Sequence, residues 1–329
     1  MTEERKQEIL EIIRNTNRRP AQTGKPLYPE EIMAYPNLCE EIESISRTVD
    51  GFSYRMDILR AKNRGENCPL FINIHGGGFI GPHRENDTYF SAYMADQIHG
   101  ITVDLDYTLS DAAPYPVALH QCMDALDYVA EHANTWGASA KDISVGGYSA
   151  GGALTAAMGI CCAERGGFVP KLQILCYPPL EYRIPDQYKI DAYDRQIGME
   201  RCKAFADLYF DDKKENFEDI HNSPLYAPRE ILAKQPKTMI LSAGLCNFRY
   251  EDEDYAICLA DAGAEVILKR FPEASHGFIP HFMDGWKEAA DLMVREILAK
   301  RVNNLSVKQW TVEVAFGNFR GPVTLGILL

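Results

Sequence analysis

The stretch Ile143-Ser144-Val145-Gly146-Gly147-Tyr148-Ser149-Ala150-Gly151-Gly152, continued by Ala153-Leu154-Thr155-Ala156-Ala157-Met158, decides the fold. It opens on a short, apolar, β-branched run and closes on helix formers, so it reads as strand, tight turn, helix. Glycines two residues before and two after Ser149 let the strand and helix pass closely, and the turn projects the serine hydroxyl at the carboxyl edge of a sheet. A bare Gly-x-Ser-x-Gly occurs in many helix-entry loops; the strand and helix on either side give this one its meaning.

Working outward, the same alternation repeats. Pro69 to Ile74 reads as a buried strand that runs into His75-Gly76-Gly77-Gly78-Phe79, and Gly100 to Leu105 as another after a helix from Asp87 to Ile98. Downstream, Leu172 to Tyr177, Thr238 to Ala243 and Glu265 to Phe271 are strands, with helices over Val117 to His132, Leu154 to Glu164, Glu253 to Ala262 and Gly285 to Lys300. Strands alternating with helices predict an α/β fold, a mostly parallel central sheet with helices on both faces. Before it, Ile45 to Val49 and Phe52 to Arg60 flank Asp50-Gly51 as a hairpin.

Residues 3 to 15 place Ile9, Leu10, Ile12 and Ile13 on one side of a helix, for docking on an apolar surface or roofing a pocket. Pro20, Pro26, Pro29 and Pro36 then break the chain into loops with a short helix near Glu30 to Tyr35. Leu180 to Pro236, helical around Asp194 to Phe210, is too long for an ordinary crossover and reads as an inserted helical cap. The expected organisation is a cap segment over 1–44, a core over 45–179 and 237–300, a cap insertion over 180–236, and a tail over 301–329. In that tail Trp310 to Phe316 is strand-like and Val323 to Leu329 apolar, which fits an exposed edge strand, a homo-oligomer contact or a disordered remnant equally.

At 329 residues the chain can bury a large core, and its 46% hydrophobic and 10% aromatic content excludes a disordered one. No apolar run reaches the roughly 18 residues of a membrane span. Met1-Thr2-Glu3-Glu4-Arg5 is charged where a secretory signal needs an apolar core, so a cytoplasmic protein is expected. Nine cysteines without a C-x-x-C spacing predict reduced thiols and no metal site. A net charge of −13 argues against nucleic acid and favours a small neutral substrate.

To act as a nucleophile, Ser149 needs a base, a group that orients the base, and donors for an oxyanion. The glycines after His75 can turn backbone N–H groups inward, and the N–H of Ala150 adds a donor. The base is expected in a loop after the last strand, where Ser275-His276-Gly277-Phe278 lies. His99, His120 and His132 fall in or beside predicted helices and read as surface or core residues.

In order, His75-Gly76-Gly77-Gly78-Phe79, Asp106-Tyr107-Thr108-Leu109, Gly147-Tyr148-Ser149-Ala150-Gly151-Gly152, Ser223-Pro224-Leu225 and His276-Gly277-Phe278 resemble the hormone-sensitive-lipase-like branch of the α/β-hydrolases over residues 45 to 300. The resemblance implies an α/β-hydrolase fold with a helical cap and esterase or lipase activity on short acyl chains, without a cofactor. It makes Ser149 the nucleophile, His276 the base, and Gly77, Gly78 and Ala150 the oxyanion donors. Two positions depart from it. Tyr148 stands where many relatives have an aspartate, and Cys246-Asn247-Phe248-Arg249-Tyr250-Glu251 aligns with Asp-Pro-Leu-Arg-Asp-Glu, putting Cys246 in place of the orienting aspartate.

Glu251, one helical turn on, is the first choice to replace that acid. Asp252, an amide from Asn247 as in papain-like enzymes, Glu181, or no acid at all are the other readings. Phe79 and Tyr148 are expected to wall an acyl pocket suited to small esters such as acetyl groups. The alternative function is a non-catalytic small-molecule binder with a degraded triad, as in the plant gibberellin receptor, which resembles the same family.

Overall fold

The computed structural model describes residues 1–16, 27–184 and 198–299, with the strand pair at 311–312 and 323–324. Asp50 and Gly51 both take positive φ, and this turn joins β1 (Glu43–Val49) to β2 (Phe52–Arg60), setting Val49 opposite Phe52. β3 (Cys68–Ile74), β4 (Ile101–Asp106), β5 (Ala138–Tyr148), β6 (Leu172–Cys176), β7 (Lys237–Ala243) and β8 (Val266–Phe271) complete an eight-stranded sheet ordered β1-β2-β4-β3-β5-β6-β7-β8. Within this sheet β2 alone runs against the direction of the other strands; every pairing from β4 to β8 is parallel.

The helices are α1 (Glu3–Asn15), α2 (Glu30–Met33), α3 (Glu85–Gln97), α4 (Val117–His132), α5 (Ala150–Arg165), α6 (Met199–Tyr209), α7 (Lys214–Glu218), α8 (Arg229–Leu232), α9 (Arg249–Ala262) and α10 (Trp286–Leu298). Side chains alternate across β3, which sorts the helices between the faces. Leu70, Ile72 and Ile74 pack with Leu119 and Cys122 of α4 and Leu154 and Met158 of α5, whereas Phe71 packs with Phe90 of α3 and Met293 of α10. Each fully buried aliphatic side chain contributes roughly 1.5–3 kcal/mol. Outside this core, α1 sets Ile9 and Ile13 against Ala204 and Leu208 of α6.

Most elements lie within a few residues of where periodicity puts them, and they differ at their ends. The α5 helix starts at Ala150 rather than Leu154 and α9 at Arg249 rather than Glu253, because both open directly out of the turns that follow their strands. Of the inserted segment, α6 is described while 194–197 lie outside the described residues. The tail contributes one antiparallel pair, β9 (Thr311–Val312) with β10 (Val323–Thr324), and the remainder of 301–329 lies outside the described residues. No helix among the described residues is long and apolar enough to cross a membrane.

The strand order places the site. Chain direction reverses its lateral progress at β3, which lies between β4 and β5, and ligands of open α/β sheets bind outside the carboxyl ends of strands at such switch points. Ile74 pairs with Gly147, so the glycine loop after β3 and the turn after β5 emerge side by side. The carboxyl ends of β6, β7 and β8 follow in order, delivering Tyr177, Cys246 and His276 toward the same edge.

Candidate active site

Ser149 takes φ 53° and ψ −120° between β5 and α5, a strained turn that costs a non-glycine residue about 1–3 kcal/mol. The surroundings enforce it. Ser149 N–H donates to Cys176 O at 2.9 Å, and Cβ atoms at Gly147 and Gly151 would come within 2.4 Å of Gly151 O and 2.1 Å of Ile74 O. Only glycine permits that crossing of strand and helix.

His276 comes from the loop after β8, and its Nε2 lies 2.9 Å from Ser149 Oγ. The rings of Tyr177 and Phe248 stand edge-on to the imidazole, with centroids at 5.0 and 5.6 Å. Burial, with His281 adding to it, lowers the His276 imidazole to about 3, so the ring is unprotonated at neutral pH.

The group at the other ring nitrogen corrects the expectation of a carboxylate. Cys246 Sγ lies 3.0 Å from His276 Nδ1. Glu251, in the first turn of α9, points instead at the chain after β6, where its Oε2 accepts the N–H groups of Leu180 and Glu181 at 2.8 and 3.0 Å. Glu181 Oε1 accepts the Ile184 N–H, and the Asn247 amide faces Cys202 Sγ at 4.0 Å. Asp252 is fully buried with neither oxygen hydrogen-bonded, and burial, with Glu251 adding to it, pushes its carboxyl well above the usual carboxylate range. Among the described residues no carboxylate bonds His276.

Gly77 and Gly78, at φ 122° and 64°, carry the loop after β3 past the serine, and with Gly76 and Ala150 they line one cavity with Ser149 and His276. The Ala150 N–H belongs to the first turn of α5, where backbone donors have no intrahelical acceptor. Below the loop, His75 Nδ1–H donates to Gly76 O at 2.7 Å, and burial lowers this imidazole to about 4. His83 Nε2 pairs with the buried Asp104 Oδ2 at 2.7 Å, while Asn73 Nδ2 donates to Asp104 Oδ1 at 3.0 Å. Residue patterns alone missed the His83–Asp104 pair: His83 lies five residues beyond Gly78 and Asp104 within β4, and no spacing in the sequence ties the two together.

The cavity measures about 870 Å³, the scale of a small-molecule site. Phe79, buried and stacked on Tyr209 at 3.7 Å, and Tyr148, buried edge-on to Phe90 at 5.5 Å, both line it, as do Leu10 and Ile13 of α1 and Phe205 of α6. Arg14, Arg84 and Arg201 bring cationic groups to its wall. Among the described residues no cluster of His, Cys, Asp and Glu side chains is arranged to hold a metal ion.

The profile of the alpha/beta hydrolase fold matches residues 71–280. Esterase LipI of Mycobacterium tuberculosis is 30% identical over 217 residues, 64% of this chain and 66% of LipI. Thus the chain spans just under two thirds of that relative's length. A carboxyl esterase 2 structure from Tuber melanosporum superposes with TM-score 0.74 at 20% identity, covering 88% of this chain and 97% of the other, a likeness of fold. One of two fungal esterases from Rhizomucor miehei reaches TM-score 0.72 at 26% identity over 88% of this chain and 95% of its own.

Proposed function

Because the chain belongs to the α/β-hydrolase family, in its hormone-sensitive-lipase-like branch, we propose that it hydrolyses short-chain carboxylic esters through an acyl-enzyme on Ser149. The observation that carries this reading is the 2.9 Å contact between His276 Nε2 and Ser149 Oγ in the wall of a glycine-lined cavity. The esterases among its relatives support the same chemistry.

Ser149 Oγ attacks the ester carbonyl carbon as its proton passes to His276 Nε2. The carbonyl oxygen becomes an oxyanion and is taken up by the N–H groups of Gly77, Gly78 and Ala150, each worth about 3 kcal/mol in the transition state. The C–O bond to the leaving group breaks, and His276 returns the proton to the departing alkoxide. Water then attacks the acyl carbon, gives a proton to Nε2, and the acid leaves with Ser149 restored. No cofactor enters these steps.

Segments 1–44 and 180–236 act as the cap over this centre. Phe79 and Tyr148 form the acyl wall, and small acyl groups such as acetyl on a neutral alcohol are the substrates this reading favours. A small-molecule binder is the second reading, favoured by the missing carboxylate at His276 Nδ1, but a binder has no use for a serine hydroxyl held on an imidazole.

Hydrolysis of p-nitrophenyl acetate separates them. The wild-type chain is expected to turn over, and Ser149→Ala to lose at least about 1,000-fold in kcat. A wild type no faster than Ser149→Ala ends the esterase reading.

A further inference from the structure

We propose that the Cys246 thiol is the positioning group of the base, holding His276 in its productive tautomer by accepting the Nδ1–H. This rests on the esterase reading and deepens it. For Nε2 to take the serine proton, the imidazole must carry its own hydrogen on Nδ1. The atom 3.0 Å from Nδ1 is Cys246 Sγ.

Two tautomers fit that contact, and the chemistry of the donors separates them. A thiol S–H is a weak donor, whereas an imidazole N–H is a good one. The same sulfur already accepts the Phe248 backbone N–H at 3.4 Å, a group that can only donate. In the proposed arrangement the sulfur accepts both N–H groups, and its own hydrogen is turned away from the ring. The reverse arrangement would point a hydrogen from Nε2 at Ser149 Oγ and leave the serine without a base.

The thiol is built into its place. Cys246 N–H donates to Ala243 O at 3.0 Å, and the Arg249 N–H returns to Cys246 O at 3.3 Å, so the turn between β7 and α9 is closed on both sides of the side chain. Tyr177 after β6 and Phe248 confine the ring from its flanks.

The titratable groups acting on this unit come from every side. Ser149 and His276 itself face each other, His281 acts on the ring from its own loop, and Asp252, Glu251 and Cys202 act on the thiol from α9 and α6. None supplies an anion at Nδ1. Burial first, and Asp252 after it, push the Cys246 thiol well above its ordinary range, so it stays neutral. A neutral sulfur orients the imidazole but stabilises the imidazolium of the attack less than a carboxylate does.

The test uses the full chain as wild type, Cys246→Ala and Cys246→Asp. It measures kcat and KM for p-nitrophenyl acetate against pH, and the ring ¹⁵N spectrum of His276. The wild type is expected to show a neutral ring protonated on Nδ1, and an acid limb of kcat far below the ordinary histidine value of about 6.5. Cys246→Ala is expected to mix the tautomers and lower kcat about tenfold or more with little change in KM. Cys246→Asp is expected to raise kcat near pH 8 by about tenfold and to move the acid limb toward neutrality.

Wild-type kcat and an unchanged ring spectrum in Cys246→Ala overturn the proposal. So does a Cys246→Asp chain, folded by circular dichroism, whose acid limb does not move. Because the ring spectrum needs no turnover, it reports on Cys246 even if the Ser149→Ala comparison has ended the esterase reading.

Discussion

Gly76 is the residue at which the glycine loop touches the serine turn. A Cβ there would lie 2.8 Å from Tyr148 O and 3.4 Å from Ser149 Cβ, so Gly76→Ala must push the loop off the turn. A displacement near 1 Å costs about 100-fold, which is the expected fall in kcat/KM by steady-state kinetics. A loss below tenfold would mean that the loop yields without moving its donors. At this scale much was legible: chemistry demands particular residue types, and Ser149, His276 and the glycines are such types in a distinctive order. The substitution at Cys246 was legible too, but the contact that follows from it was not. Glu251 is near enough in sequence to reach back, yet α9 opens at Arg249 and turns its first-turn carboxylate onto the N–H groups of Leu180 and Glu181. Direction, rather than distance along the chain, decided between the two.

The loop from His75 to Arg84 is an element in its own right, and its brace is ionic. Burial pulls the His83 imidazole down, but the Asp104 carboxylate outweighs burial and holds the ring at about 9, against about 6.5 for a solvated histidine. A folded-state value raised above the unfolded one stabilises in full below about pH 6.5 and loses that contribution as pH rises through about 9. Urea unfolding between pH 6 and 10 should therefore show declining stability, with a shallower decline in His83→Gln. His221 acts with the same sign, held at about 10 by Asp219 despite its burial, so the comparison is one of slopes. Equal slopes would remove His83 from the brace. The strand β4 that carries Asp104 was readable as a buried apolar run; its pairing with His83 was not, because a lone buried aspartate gives no pattern to read.

At the scale of the molecule, the cavity is closed by pieces remote in sequence. Arg201 of α6 donates to Ile13 O at 2.6 Å across 188 residues, and Arg5 of α1 pairs with Asp207 at 3.1 Å. The amphipathic face of α1 was legible, but its partner was not, since nothing in a periodic stripe names the surface it will meet. Net charge likewise does not give local placement: the chain carries −13, yet Arg14, Arg84 and Arg201 line the cavity. Where α6 meets the glycine loop, the Phe205 ring lies against the loop; a Cβ on Gly78 would come within 2.4 Å of it. That ring fills space beside Gly78, one of the proposed oxyanion donors, so in the proposed mechanism it would limit how far an acyl chain extends from Ser149. Fit of a single methylene in such a pocket is worth about 1–3 kcal/mol. Phe205→Ala should therefore shift preference from acetyl toward longer acyl esters, raising the ratio of octanoate to acetate kcat/KM by about tenfold or more. The measurement is kcat/KM across p-nitrophenyl esters from acetate to octanoate in both chains. An unchanged profile would show that the acyl chain leaves the serine along another wall, past Phe79 and Tyr148, and that the α6 ring only roofs the loop.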